Sequence, residues 1–263
     1  MRKIKRRIPK PYYETRKIKR RLPNPYYETK LGKLYHGDCL DIMPYLPKVD
    51  LIVTDPPYRI DAKSGGGLYK KNDWLKNISK EKIDEFNPDK FLNLIKPFHG
   101  YIFCSKYLIN EYISFFKKEK YKWEILIYTK RSCVPTKNNK YLPDKEYCFF
   151  VRGIKECYFN NHNEFKKYKT VKFVKKTSNK YHPAEKDLDF IKDIISISSK
   201  KNQIIFDPYL GSGTTAVACE HLDRRWIGIE EKEKYCKISV QRIEEQTKMP
   251  LFDKPEQTES KLW

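Results

Sequence analysis

IIFDPYLGSGTTAVAC, residues 204–219, runs from an apolar strand through a glycine turn into the start of a helix. The turn has the GxGxxA form, with Gly211, Gly213 and Ala216 at the set places, and Glu230 follows Gly211 by nineteen residues at the end of the next apolar run. Glycines in such a turn let backbone approach a ligand closely, and an acid at that distance can bind ribose hydroxyls. The combination predicts one strand–turn–helix unit of a doubly wound α/β domain with an adenosine-type cofactor. It leaves a nicotinamide dinucleotide and S-adenosylmethionine as alternatives. It excludes the ATPase phosphate loop, because no lysine follows the last glycine.

Other short apolar runs repeat the pattern: 33–38, 51–55, 101–105, 124–128, 146–151 and 226–230. Their nearly continuous apolar character predicts strands covered on both faces, as in a mostly parallel sheet. Helical spacing appears over 107–120, 185–199, 214–222 and 231–245. Strands alternating with helices indicate a doubly wound, Rossmann-like α/β fold. Two polar stretches fall outside these layers. Residues 59–88, with SGGG, read as a long mobile loop, and residues 153–181 form a lysine-rich segment dotted with aromatics.

Charge is unevenly placed. The chain of 263 residues has 55 Lys+Arg against 34 Asp+Glu, a net charge of +21. Residues 1–31 carry +10 and residues 117–180 carry +12, so the rest is close to neutral. Two basic zones on a neutral body fit a polyanion partner, against the plainer reading of a lysine-rich surface kept for solubility. The first zone repeats itself, IKRRIPKPYYET at Ile4 recurring as IKRRLPNPYYET at Ile18. It reads equally as a basic, tyrosine-bearing arm on nucleic acid or as a solvated tail. The seven cysteines contain no CxxC and lie mostly in apolar stretches, which predicts reduced core thiols in a cytoplasmic protein, with no disulfide frame and no metal site. No apolar run approaches membrane-spanning length, and no signal-like segment follows the basic start.

LIVTDPPY, residues 51–58, chooses the chemistry. An exocyclic amine on a nucleobase is a poor nucleophile, because its lone pair is delocalised into the ring. A carboxylate and a carbonyl accepting its two N–H bonds would favour the tetrahedral geometry that methylation needs, since both bonds strengthen as positive charge develops. Asp55 supplies the carboxylate. Pro56 supplies the carbonyl, and Pro56 and Pro57 together fix two φ angles that keep it aimed. Tyr58 supplies a face on which an extruded base can stack.

With these residues the chain resembles the amino-methylating DNA methyltransferases, which act on adenine N6 or cytosine N4, over about residues 31 to 245. HGDCLDIM with VDLIVTDPPY resembles their start. YHPAEKDLDFI, FDPYLGSGTTAVAC and RRWIGIEEKEKYCKISVQRI resemble their end. The glycine motif follows the DPPY motif, the circularly permuted order of the beta group. The resemblance implies S-adenosylmethionine as cofactor, Asp38 and Cys39 on its adenine, and Asp207, Tyr209, Gly211, Ser212, Gly213 and Thr214 around its methionine and ribose. Glu230 falls on the ribose hydroxyls, and His182 and Lys186 near the methionine carboxylate. Plainer readings make Cys39 a backbone contact, His182 a turn residue before proline and Lys186 a helix-surface charge. Three positions depart from the family pattern: Tyr209 where Phe is common, Asp187 where Pro is common, and Tyr128-Thr129-Lys130 where Trp-x-Lys is found.

The resulting expectation is a basic duplicated arm (1–31), a catalytic domain (32–245) with its target-recognition segment at 153–181, and a tail (246–263). The expected activity is methyl transfer to adenine N6 in double-stranded DNA, because in the family that the chain resembles aspartate rather than serine at the head of the tetrapeptide favours adenine. N4-cytosine transfer is the nearest alternative and RNA shares the chemistry. An inactive DNA-binding subunit and a nicotinamide oxidoreductase leave parts of the pattern unexplained. Homodimerisation and a companion restriction endonuclease stay open.

Overall fold

Tyr27–Glu28 (β1) and Gly32–His36 (β2) form a hairpin, followed by Cys39–Ile42 (α1) and Leu51–Thr54 (β3). Pro88–Ile95 (α2), His99–Cys104 (β4) and Ile109–Lys118 (α3) come next, then Lys122–Lys130 (β5), Lys145–Arg152 (β6) and Val171–Val174 (β7). Leu188–Ser198 (α4), Ile204–Asp207 (β8), Thr214–His221 (α5), Arg225–Glu230 (β9) and Glu233–Thr247 (α6) complete the order. This computed structural model describes residues 21–57, 86–130, 141, 144–155, 157–160, 168–174 and 185–247. The first repeat copy, Tyr58, His182, nearly all of the 59–88 loop, half of the 153–181 segment and the tail beyond 247 lie outside the described residues.

The strands make one sheet in the order β1-β2-β9-β8-β3-β4-β6-β5-β7. From β2 to β4 all neighbours are parallel, whereas β6 is antiparallel to both β4 and β5. Strand side chains alternate between faces, and here both faces are covered. Leu51 and Val53 of β3 join Tyr101 and Phe103 of β4 in a core with α4, α5 and α6. Ile52, Ile102 and Cys104 point the other way, into a core with α1, α2 and α3. Two-sided burial is why these strands read as unbroken apolar runs.

All seven expected strands and all four expected helices are present, within a few residues of their ends. Strands β1 and β7 and helices α1 and α2 were not anticipated. Helix α2 starts at Pro88, the last residue of the stretch read as loop, with the Asn87 side chain accepting from Asp89 N at 2.9 Å. Cys39, Cys104, Cys148, Cys219 and Cys236 are free and buried. Among the described residues, no helix is long and apolar enough to cross a membrane.

Candidate active site

Strands β3 and β8 are adjacent and parallel, with Leu51 opposite Ile205 and Ile52 opposite Phe206. The chain leaves β3 toward β4 on one side and leaves β8 toward β9 on the other. Their carboxyl ends therefore flank the switch point of the sheet, where open α/β folds keep ligands. Asp55 emerges there from β3, followed by a buried Pro56 and an exposed Pro57, and Asp207 ends β8 beside it.

Asp55 is held by Lys186. The ammonium donates to Asp55 Oδ2 and lies 3.3 Å from Glu146 Oε2 and 5.0 Å from the centre of the Phe103 ring. Side-chain exposures of 8% for Lys186, 23% for Asp55 and 21% for Glu146 set this cluster apart from a solvated surface pair. Burial pushes the ammonium's pKa down, but Asp55 and then Glu146 outweigh it and hold the group above the ordinary lysine value. With both carboxylates ionised, the cluster keeps one net negative charge. Lys186 is thus no helix-surface charge, and its partner in the structure is the acid of the tetrapeptide.

Glu146 had no signal in the sequence. Strand β6 runs against β4, so Tyr147 near its start pairs with Cys104 at the end of β4. That reversal delivers Glu146 to the crevice. Two departures from the family pattern also meet here. The Asp187 N–H, which a proline would lack, donates to the Tyr128 hydroxyl at 3.0 Å. The Asp187 side chain caps α4 by accepting from Phe190 N at 2.8 Å. Both contacts fix the segment that carries Lys186.

The glycine turn is shaped by φ values of +55° at Gly211 and +82° at Gly213, a region that side chains with a Cβ rarely adopt. It is braced from behind by α6. Ser239 Oγ donates to Gly211 O at 2.7 Å, and Arg242 Nη1 donates to Thr214 Oγ1 at 2.8 Å and Ser212 Oγ at 3.2 Å. Arg242, buried, also pairs with Glu185 at 2.8 Å, which ties the turn to the residue before Lys186. Ser239 and Arg242 share a face with buried Cys236 and Ile243. Polar residues on an otherwise core-facing stripe were the available clue to both.

Neighbouring turns close on this one. Glu230 Oε2 accepts from Gly211 N at 2.9 Å and its Oε1 from Lys232 N at 2.8 Å, and burial raises its pKa against both bonds. Gly37 N donates to Glu230 O at 3.0 Å, joining the turn after β2. There Asp38 caps α1, and buried Cys39, its thiol pushed up to about 12 by burial, contacts the Tyr209 hydroxyl. Tyr209 packs edge-on against Phe91 at 5.6 Å, and the hydroxyl that sets it apart from the family's Phe has its partner in Cys39. Asp207 accepts from Thr215 Oγ1 at 2.7 Å and Tyr209 N at 3.1 Å, and burial raises its pKa to about 7. The structure thus gathers Asp38, Cys39, Asp55, Pro56, Pro57, Lys186, Asp207, Tyr209, Gly211, Ser212, Gly213, Thr214 and Glu230 at or beside the carboxyl ends of four adjacent strands. Tyr58 and His182 lie outside the described residues.

A family model described as DNA methylase, for the N6/N4 methyltransferases, matches residues 49–241, from just before Asp55 to just before Arg242. The chain belongs to that family. The methylase is 29% identical to the Type II methyltransferase M2.LlaDCHI of Lactococcus lactis subsp. cremoris, over 89% of this chain and 92% of that one. It is 31% identical to M2.DpnII of Streptococcus pneumoniae, over 80% and 89%. Among solved structures it is similar to the M1.HpyAVI–SAM complex, with a TM-score of 0.61 and 27% identity over 81% of this chain and 99% of that one. The PvuII DNA methyltransferase, cytosine-N4-specific, shares the fold at a TM-score of 0.64 and 18% identity, over 83% and 88%.

Proposed function

We propose that this methylase transfers a methyl group from S-adenosylmethionine to the N6 amino group of adenine in double-stranded DNA, the base being turned out of the helix. The observation that carries the reading is Asp55 at the end of β3, beside the glycine turn of β8 and tethered to buried Lys186. Aspartate at the head of the tetrapeptide favours adenine over cytosine within the family resemblance, and the two basic zones suit a polyanion. Reduced, buried cysteines accord with action in the cytoplasm.

The residues present fit the cofactor. Gly211 and Gly213 hold backbone conformations that open the turn to a ligand, and a Cβ at Gly211 would meet nothing closer than Tyr209 O at 4.0 Å, so conformation rather than space demands glycine there. Each Glu230 oxygen accepts one N–H and retains a lone pair for ribose hydroxyls. Asp38 and Cys39 fall to the adenine end. The side chains of Ser212 and Thr214 are engaged by Arg242, so their share falls to the backbone. Bound there, S-adenosylmethionine supplies an electrophilic methyl group on a sulfonium.

Asp55 and the Pro56 carbonyl would accept the two N–H bonds of the target amine, and Tyr58 would stack on the base. Both acceptors are placed before the base arrives, so little reorganisation is needed as charge develops on nitrogen. Lys186 orients Asp55, while Glu146 sets a second carboxylate beside the ammonium, which leaves the cluster negative toward a cationic amine. The test is labelled-methyl transfer to DNA followed by nucleoside analysis. N6-methyladenine is expected; N4-methylcytosine would overturn the base assignment. Asp55→Ala should abolish transfer while donor binding survives, and undiminished transfer in that variant would overturn the role given to Asp55.

A further inference from the structure

The duplicated segment is explained by what its second copy does. Within the second copy, residues 21–29 dock along the sheet edge. Tyr27 and Glu28 pair antiparallel with Leu34 and Lys33, and Thr29 N donates to Gly32 O at 2.8 Å. The Thr29 hydroxyl donates to Glu220 Oε1 at 2.6 Å and accepts from Gly32 N at 2.9 Å. Tyr27 packs on one core, Leu22 on the other, and Tyr26 sits edge-on to His36 at 5.8 Å. Residues 2–15 match residues 16–29 at twelve of fourteen positions. The two differences are Ile8 for Leu22, apolar for apolar, and Lys10 for Asn24, whose place is exposed. Every side chain that makes the dock therefore has a counterpart: Ile8, Pro11, Tyr12, Tyr13, Glu14 and Thr15.

We propose that the sheet edge beside β2 is a docking site for either copy, so that the same chain has two registers fourteen residues apart. The second copy docks through a two-residue connection to β2, and the first would leave a sixteen-residue one. That is three doublings of loop length, each worth about threefold, so the second copy is favoured by about twentyfold. The register sets the reach of the arm. Because β1 is antiparallel to β2, the chain ahead of Tyr26 leads toward the end of the sheet that carries Asp38. With the second copy docked, eleven basic residues precede Leu22 in the chain; with the first docked, five would precede Ile8. The rest then loop out toward the opposite end of the sheet. That this reach matters for phosphate contacts rests on the DNA reading above; the docking does not.

Glu28 and Lys33 are exposed cross-strand partners, their side chains 2.9 Å apart, so a disulfide between cysteines there reports docking of the second copy. Glu14→Cys with Lys33→Cys reports docking of the first. With cysteines at all three positions, peptide mapping after mild oxidation should find the Glu28→Cys/Lys33→Cys pairing dominant in the otherwise unaltered chain. Adding Tyr27→Ala and Thr29→Ala should make the Glu14→Cys/Lys33→Cys disulfide dominant within one chain. The same two substitutions should lower Tm at least twice as far in a chain lacking residues 2–15 as in the full chain. No intrachain disulfide in the weakened background, a disulfide between two chains, or equal Tm losses would each overturn the proposal. On DNA, the protein locked with its second copy should show a log K against log salt slope steeper by up to about 4–5 than the protein locked with its first. Equal slopes would overturn the role in phosphate contact and leave the docking to be judged by the disulfides.

Discussion

Replacing Lys186 with methionine tests the geometry around Asp55 most directly. At the 3.3 Å between Lys186 Nζ and Glu146 Oε2, and an effective dielectric of about 20, one such contact is worth about 5 kcal/mol before desolvation. Removing one partner from a buried pair costs about 3–5 kcal/mol, because the remaining charge is left uncompensated. In Lys186→Met two neighbouring carboxylates, Asp55 and Glu146, would face each other without a cation. They would relieve this by keeping a proton between them, so the pair would titrate higher than in the unaltered protein. A proton on Asp55 removes an acceptor for the target amine. We therefore expect kcat of Lys186→Met to be down about tenfold at pH 6 and to recover by pH 9, while donor affinity measured at equilibrium changes less. Adding Glu146→Gln leaves a single carboxylate, so the acid limb of the profile should move back toward that of the unaltered protein. A Lys186→Met pH profile that superimposes on the unaltered one would refute the reasoning. So would a uniform loss at all pH values that Glu146→Gln does not relieve.

Other outcomes follow from the turn and its brace. Gly213→Ala places a Cβ 3.1 Å from Ser239 Cβ at φ +82°, costing about 1–2 kcal/mol; the donor's KM should rise, and an unchanged KM would show that the left-handed turn is dispensable. Arg242→Met leaves Glu185 buried without its cation and should destabilise by about 3–5 kcal/mol in denaturant unfolding; full stability would remove the brace from the account, and Glu185→Gln should restore much of the loss. Asp207 holds its proton up to about 7 in the folded chain but near its ordinary value of 3.8 when unfolded. Its contribution is therefore complete below about 4 and is lost as pH rises through about 7. Asp207→Asn should show a smaller fall in Tm from pH 5 to pH 8 than the unaltered protein, and parallel falls would contradict this.

Local order was written into the chain. Runs of apolar residues buried on both faces declare central parallel strands, and the glycine turn with its distant acid declares the ligand end of the sheet, because both depend on residues close in sequence. Asp55, Gly211, Gly213 and Glu230 were legible for that reason. Helix α2 was hidden by the polar stretch before it, and β1 by the reading of the repeat as a free arm. What tertiary structure alone decided is which distant groups meet. In the sequence Lys186 reads as a surface charge or a cofactor ligand, and only the packing of α4 against β3 and β4 brings it to Asp55. Glu146 reaches the same ammonium because β6 reverses direction beside β4, and Arg242 reaches the glycine turn because α6 folds back behind it. Hydrogen-bonding pattern and side-chain periodicity act over a few residues, so one chain can specify them in place. The charge balance at Asp55 depends on groups 91 and 131 residues away, and their separation is set by how strands are ordered in the sheet.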